Sequence, residues 1–197
     1  MPILRLPGAS SALGTGLSAE TVPQNSIIKL PSGEKGNLLT VEFMKKVARE
    51  RSKEPIVRQL ACNILKQYKV PSMHYAKEAL AIGDWVKKNF RYVRDTLGVE
   101  TLQDPLTMID QIMRGNGQGD CDDHALLIAT LLLSIGHSPR FRVVKYNKYA
   151  PSYAHIYVVS YERDKKSPVK RVVLDAIMKT KPTGFEVPHA EGKEIPA

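Results

Sequence analysis

The chain has only two cysteines, Cys62 and Cys121, among 197 residues. That excludes a disulfide scaffold and favours a reducing compartment. No cysteine pair has zinc-site spacing, no phosphate-binding glycine loop is present, and no segment repeats. No apolar run reaches transmembrane length. The opening Met-Pro-Ile-Leu-Arg-Leu-Pro-Gly lacks the apolar stretch of a secretion signal, so the expectation is a soluble protein with no membrane partner. Aromatic residues make up 7%, with a single tryptophan, Trp85, and form neither a stacking platform nor a recognition helix. Nucleic-acid binding therefore ranks last among the functions considered, although the formal net charge is +9.

The positive charge is unevenly placed. Lys45, Lys46, Arg49, Arg51, Lys87, Lys88, Arg91 and Arg94 lie in the first half, and Arg140, Arg142, Lys145, Lys148, Lys165, Lys166, Lys170 and Arg171 in the second. Between them Asp104, Asp110, Asp120, Asp122 and Asp123 make the surroundings of Cys121 acidic. The pattern is a basic shell about an acidic rim, which serves solubility or docking to an acidic neighbour.

Residues 1–38 are rich in Gly, Pro, Ser and Thr and are expected to be an extended N-terminal arm without a core of its own. Thr40 is expected to cap a helix running to about Arg51, and Pro55 to open a second with Ile56, Leu60, Ile64 and Leu65 on one stripe. Cys62 falls in that apolar run and reads as a small core residue. Tyr75, Ala79, Ile82, Val86 and Phe90 mark a third helix, and Asp104-Pro105 opens a short fourth.

Next comes Gly-Gln-Gly-Asp-Cys-Asp-Asp-His-Ala, leading into a helix that is apolar nearly all round and so belongs at the centre of a core, with Gly136 as its C-terminal stop. Phe141–Tyr146, Ala154–Tyr161 and Val169–Asp175 then read as strands. Helices first and strands after give an α+β fold, a central helix packed on a small antiparallel sheet. The domain is expected over residues 39–180, and residues 181–197 as an irregular tail.

Cys121 stands where a helix N-terminus favours a thiolate. His155 and Asp175 are equidistant from residue 165, the centre of the expected last hairpin, and would lie opposite one another on one face. A carboxylate behind a histidine fixes its tautomer and stabilises the imidazolium, leaving the other ring nitrogen for the thiol. The catalytic candidates are therefore Cys121, His155 and Asp175. Gln118 is a candidate oxyanion donor, and Asp123 is expected to turn inward and support the loop. Alternatives stay open at this point. His124 shares the helix of the thiol, and Asp120, Asp122, Asp123 and His124 could in principle hold a metal, although neighbours on a helix diverge. No metal or other cofactor is expected. The three aspartates also disfavour the thiolate, a cost the helix terminus and a cationic His155 must outweigh.

These residues carry a resemblance. Gly-Asp-Cys-Asp-Asp-His-Ala-Leu-Leu, Leu-Leu-Ser-Ile-Gly-His-Ser-Pro-Arg-Phe-Arg-Val-Val, Ala-His-Ile-Tyr-Val-Val and Val-Val-Leu-Asp-Ala are similar to the transglutaminase-like superfamily of papain-type cysteine enzymes, over about residues 75–178. The resemblance implies a papain/transglutaminase-like fold with Cys121 as nucleophile, His155 as base and Asp175 as orienting acid. It implies a thiol enzyme, a cysteine protease, amidase or acyltransferase acting on a protein or peptide substrate through a thioester. Trp-Val-Lys-Lys-Asn-Phe-Arg-Tyr-Val-Arg-Asp and Gln-Asp-Pro-Leu-Thr-Met-Ile resemble the bacterial and phage branch. That implies the cytoplasm of a bacterial host or a virion, where the arm would contact other virion subunits. The alternative is a non-catalytic structural or interaction protein of a phage particle that keeps the fold. One departure is Leu-Asp-Ala-Ile where the family has Leu-Asp-Pro, beside Asp175.

Overall fold

Proline and aspartate open the helices. A computed structural model describes residues 3–5, 27–29, 31, 33–95, 99–161 and 171–197. Helix α1 spans Glu34–Arg51, α2 Pro55–Gln67, α3 Tyr75–Asn89, α4 Pro105–Met113 and α5 Cys121–Ser134. Pro55 and Pro105 take first-turn positions, where a missing N–H costs nothing. Asp104 Oδ1 accepts from the Leu106 N–H at 2.8 Å and so caps α4. Arg51 reaches the same carboxylate at 2.7 Å and ties α1 to α4.

Helix α5 is the axis of the fold. Every residue from Asp122 to Leu132 is buried, and α1, α2, α3 and α4 pack around it. Its interior hydroxyls are satisfied locally, with Thr130 Oγ1 donating to the Leu126 carbonyl and Ser134 Oγ to that of Leu131, both at 2.7 Å. Gly136 ends the helix at φ +86°, a conformation that costs a residue with a Cβ.

Strands β6 (Arg140–Lys145), β7 (His155–Tyr161), β8 (Arg171–Leu174) and β9 (Glu191–Pro196) form an antiparallel sheet in the order β8-β7-β6-β9. Alternation divides its two faces. Phe141, Val143, Ile156, Val158, Val172 and Leu174 join the core built around α5, while Val144, Tyr157, Val159 and Val173 form a separate outer cluster. Over that outer face, Glu186 binds Arg171 at 2.7 Å and Arg142 at 3.1 Å. Two smaller sheets complete the order: β1 (Ile3–Arg5) with β2 (Ile27–Lys29) and β4 (Val99–Thr101), and β3 (Arg91–Tyr92) with β5 (Gln118–Gly119).

Three expectations are corrected. Helix α1 starts at Glu34, so Thr40 is not a cap; it lies inside the helix and its hydroxyl donates to the Gly36 carbonyl at 3.3 Å. The supposed arm, residues 1–38, thus gives up its last residues to α1, and its described strands β1 and β2 pair with each other and β1 with β4. Most of the arm, and the polar turn before β8, lie outside the described residues. The tail, residues 181–197, is not irregular throughout. Glu-Gly-Lys-Glu-Ile-Pro has one apolar side chain to bury, Ile195, and little intrinsic strand signal, yet backbone pairing along β6 makes it an edge strand. Arg49 closes that edge by donating twice to the Ala197 carbonyl, at 3.2 and 3.0 Å.

Candidate active site

The parallel pairing of β3 with β5 holds the glycine loop against α3, and Asp120 then caps α5 by accepting from the N–H groups of Asp122 and Asp123 at 3.2 and 3.4 Å. Cys121 is therefore the first helical residue, half-buried, at the positive end of the helix dipole.

His155 begins β7 and is buried beside Asp175, with Nε2 2.8 Å from Oδ2. Direct opposition across the hairpin does not occur. Leu174, the last residue of β8, lies opposite Val158, so the ladder continued would set Asp175 opposite Tyr157. The register differs from the expected one by two residues, which keeps the carboxylate on the face of His155 and brings it there on the diagonal. The Ala176-Ile177 departure leaves Asp175 held all the same: Oδ1 accepts from the Ile177 N–H at 3.2 Å, a local turn closed by the side chain.

Tyr146, which the sequence did not single out, stands beside the imidazole. Its ring stacks on His155 with centroids 6.4 Å apart and planes 11° from parallel. Burial raises its hydroxyl pKa, and the charges of Asp175 and Cys121 raise it further, so the phenol lies in the field of both groups. Its only sequence signal is its place just past the β6 strand, opposite the start of the histidine strand.

The carboxylates flanking the thiol behave differently from one another. Asp123 turns inward, with Oδ1 accepting from the Gln103 N–H at 2.8 Å and Oδ2 from Gln103 Nε2 at 2.6 Å. It fills the space beside Gly119, where a Cβ would come within 2.7 Å of the Asp123 Cβ. Burial pushes its pKa up to about 8, assisted by the charge of Asp120 and opposed by the two Gln103 donors. Burial likewise drives Asp122 well above the ordinary carboxylate range, with the hydrogen bond and charge of Asp120 next in effect. Burial thus disfavours the ionised form of both, which weakens the negative charge expected to oppose a thiolate.

The rival readings separate on geometry. His124 presents Nδ1 to the Asp120 carbonyl at 2.6 Å and Nε2 to that of Phe90 at 3.2 Å, so both ring nitrogens face backbone. Of the four groups weighed for a metal, Asp123 faces Gln103 and His124 faces backbone carbonyls. Among the described residues the set that could hold an ion is Asp120, Cys121 and Asp122, whose donor atoms lie within 4.8 Å of one another. One of those groups, Asp120, already caps α5. Gln118 is exposed; its Oε1 accepts from Arg91 Nη2, and its own carbonyl accepts from Gln103 Nε2 at 2.8 Å. Gln103 thus supports the loop from two sides, a role hidden in the sequence because a glutamine before Asp-Pro reads only as a helix approach.

Comparison with known proteins gives the family. Among solved structures the chain is similar to a candidate cysteine protease from Cytophaga hutchinsonii (19% identity, TM-score 0.39, covering 61% of this chain and 37% of that one). It is also similar to LapG of Legionella pneumophila (16% identity, TM-score 0.37, 68% and 72%). A third is a candidate protease from Parabacteroides distasonis (14% identity, TM-score 0.48, 88% and 41%). The chain thus spans well under half the length of the first and third of these proteins. No curated protein matches it in sequence. The sequence profile of the transglutaminase-like superfamily matches residues 58–166, more than half of the chain, from α2 through the thiol helix and the histidine strand, and the protein therefore belongs to that superfamily.

Proposed function

We propose that this chain is a thiol acyl-transfer enzyme that cleaves or transfers acyl groups at peptide, isopeptide or amide bonds. The observation that carries the reading is the buried contact of His155 Nε2 with Asp175 Oδ2 at 2.8 Å. With Nε2–H donating to the carboxylate, Nδ1 is the nitrogen left to exchange a proton with the thiol. The Cys121 sulfur attacks the acyl carbon as a thiolate, and the imidazolium gives its proton to the departing amine. The resulting thioester is resolved by water or by a second amine, which returns the thiol. The Cys121 N–H, at the start of α5, is the first candidate for the oxyanion, and the Gln118 amide is the second. The substrate under this reading is a protein or peptide.

Iodoacetamide labelling followed by mass spectrometry tests it. Cys121 is expected to react faster than both Cys62 and free cysteine at pH 7. His155→Ala is expected to slow Cys121 by at least about tenfold, since thiol and imidazole act as a unit. Asp175→Asn is expected to slow it less. Equal rates in the wild-type protein and His155→Ala would overturn the proposal and leave a packing or interaction protein with this fold.

A further inference from the structure

A cavity of about 500 Å³ opens between the end of α3, strand β3, the glycine loop and residue 179. Its polar side chains are Lys88, Arg91, Lys179, Asn89, Asn116 and Gln118, and its lining includes no carboxylate. Lys88 is already neutralised by Asp84 at 2.7 Å. Arg91 and Lys179 are not. Arg91 is exposed and its Nη2 donates to an amide oxygen, that of Gln118. Lys179 Nζ donates to the carbonyls of Lys87 and, at 3.2 Å, Phe90, which end α3. Among the described residues neither has a carboxylate partner. The cavity therefore lines up the guanidinium of Arg91, the ammonium of Lys179 and amide donors, with no carboxylate in its lining.

The surroundings sharpen this imbalance. Lys87, buried behind the cavity, donates to the Lys181 carbonyl at 2.5 Å. Burial lowers the Lys179 pKa, and the charge of Lys87, which itself lies in the fields of Asp175 and Asp84, lowers it further, so an anion placed beside Lys179 relieves that repulsion. Gln118, on the wall of the cavity, is three residues before Cys121, which sets its Cα no more than about 11 Å from that of the thiol. A peptide whose acyl carbon sat at the sulfur could reach the cavity with a group only a few residues along.

We propose that this cavity is a subsite for a carboxylate of the peptide substrate, held chiefly by Arg91 with Lys179 and the flanking amides. The proposal rests on the acyl-transfer reading and adds the substrate's chemistry: an acidic peptide, with the acidic group displaced from the scissile bond. Guanidinium recognises a carboxylate with two parallel hydrogen bonds, and the amide of Asn116 supplies further donors.

Calorimetric titration of the whole protein with three short peptides tests this. They are acetyl-Gly-Glu-Gly-Glu-Gly-amide, its glutamine counterpart with an amidated end, and the glutamine counterpart with a free C-terminal carboxylate. The glutamate peptide is expected to bind at least about tenfold more tightly than the amidated glutamine peptide, and to weaken with added salt. Arg91→Gln is expected to remove about tenfold of that preference and Arg91→Lys to recover part of it. Lys179→Gln provides a second reading, and Arg91 variants keep the test valid if loss of the Lys179 cap unfolds the protein. If the free-carboxylate peptide binds as the glutamate peptide does, the subsite reads a chain terminus; if only the glutamate peptide binds, it reads an acidic side chain. Indifference to all carboxylates, or equal binding by wild type and Arg91→Gln, would overturn the subsite. So would displacement of the peptide by inorganic phosphate at lower concentrations than by acetate. The two proposals fail separately: carboxylate binding with His155-independent labelling removes the acyl-transfer reading, and His155-dependent labelling without carboxylate binding removes the subsite.

Discussion

Helix α5 contains two regions with opposite physics. From Ala125 to Leu132 it buries apolar side chains on every side, and its only polar side chain there, Thr130, bonds to its own backbone. Its first turn buries Asp122, Asp123 and His124 just as deeply, and these need partners from outside the helix: Gln103 for Asp123, Phe90 for His124. Asp122 Oδ2 has no hydrogen-bond partner among the described residues. The body of the helix stabilises the fold and the first turn costs stability, which a loop of glycines, a glutamine and an arginine then organises around the thiol. Polar groups buried so deeply at the turn of Cys121 are what the proposed acyl-transfer chemistry would call for.

That contrast can be broken most strongly in the body. Leu127→Ala removes a fully buried side chain from the core and is expected to cost about 2–5 kcal/mol in denaturant unfolding. Below the transition, its Cys121 labelling rate should stay near that of the wild type. The complementary change is Gly119→Ala, where a Cβ would collide with the Asp123 carboxylate and approach Gln103 Nε2 within 2.8 Å. Overpacking there is expected to cost about 1–3 kcal/mol, and unlike the core change it should alter the reactivity of Cys121, because the displaced group is the one that braces the thiol's own turn. If the two variants changed labelling alike, the division between body and first turn would be wrong.

The same contrast explains what could be read from the sequence. Periodicity and composition locate α2, α3, α4, α5 and the strands β6 to β8, because there a side chain's environment follows from its spacing. The pairing of His155 with Asp175 was approachable because a two-residue shift in register leaves a side chain on its own face; a one-residue shift would have hidden it. Strand β9 was missed because edge pairing with β6 holds it through the backbone, and its side chains carry no alternation to read. Tyr146 and Gln103 were missed as site components because each acts through a contact distant in sequence, one with His155 and one with Asp123. The raised pKa values of Asp122 and Asp123 were invisible for the same reason: three aspartates so close together read as charge until their burial is known.

The effect that is smallest per pH unit, and the most specific to the first turn, lies in pH. Asp123 has its pKa raised to about 8 by burial, and Asp122 is raised well above its ordinary value by the same cause. In the unfolded chain both titrate near about 4. Between these limits the folded protein holds protons that the unfolded chain has released, so stability is full below about pH 4 and falls as pH rises, by at most about 1.4 kcal/mol per pH unit for each group. Asp123 ceases to contribute to this slope above about pH 8, where both states are ionised. At the acid end Glu186 opposes the trend: Arg171 and its other partners hold it at about 2, so its contribution is lost as pH falls through that value. Asp123→Asn should flatten the fall between about pH 4 and 8 by one group's share, measured as unfolding free energy against pH, and Asp122→Asn should flatten it by another. The amide oxygen introduced by Asp123→Asn can still accept from the Gln103 N–H, so the variant should fold and keep its thiol reactive. A wild-type profile that rises steadily across this window, or one unchanged by either substitution, would mean that the first turn carries its aspartates ionised and that the thiol is opposed by their charge after all.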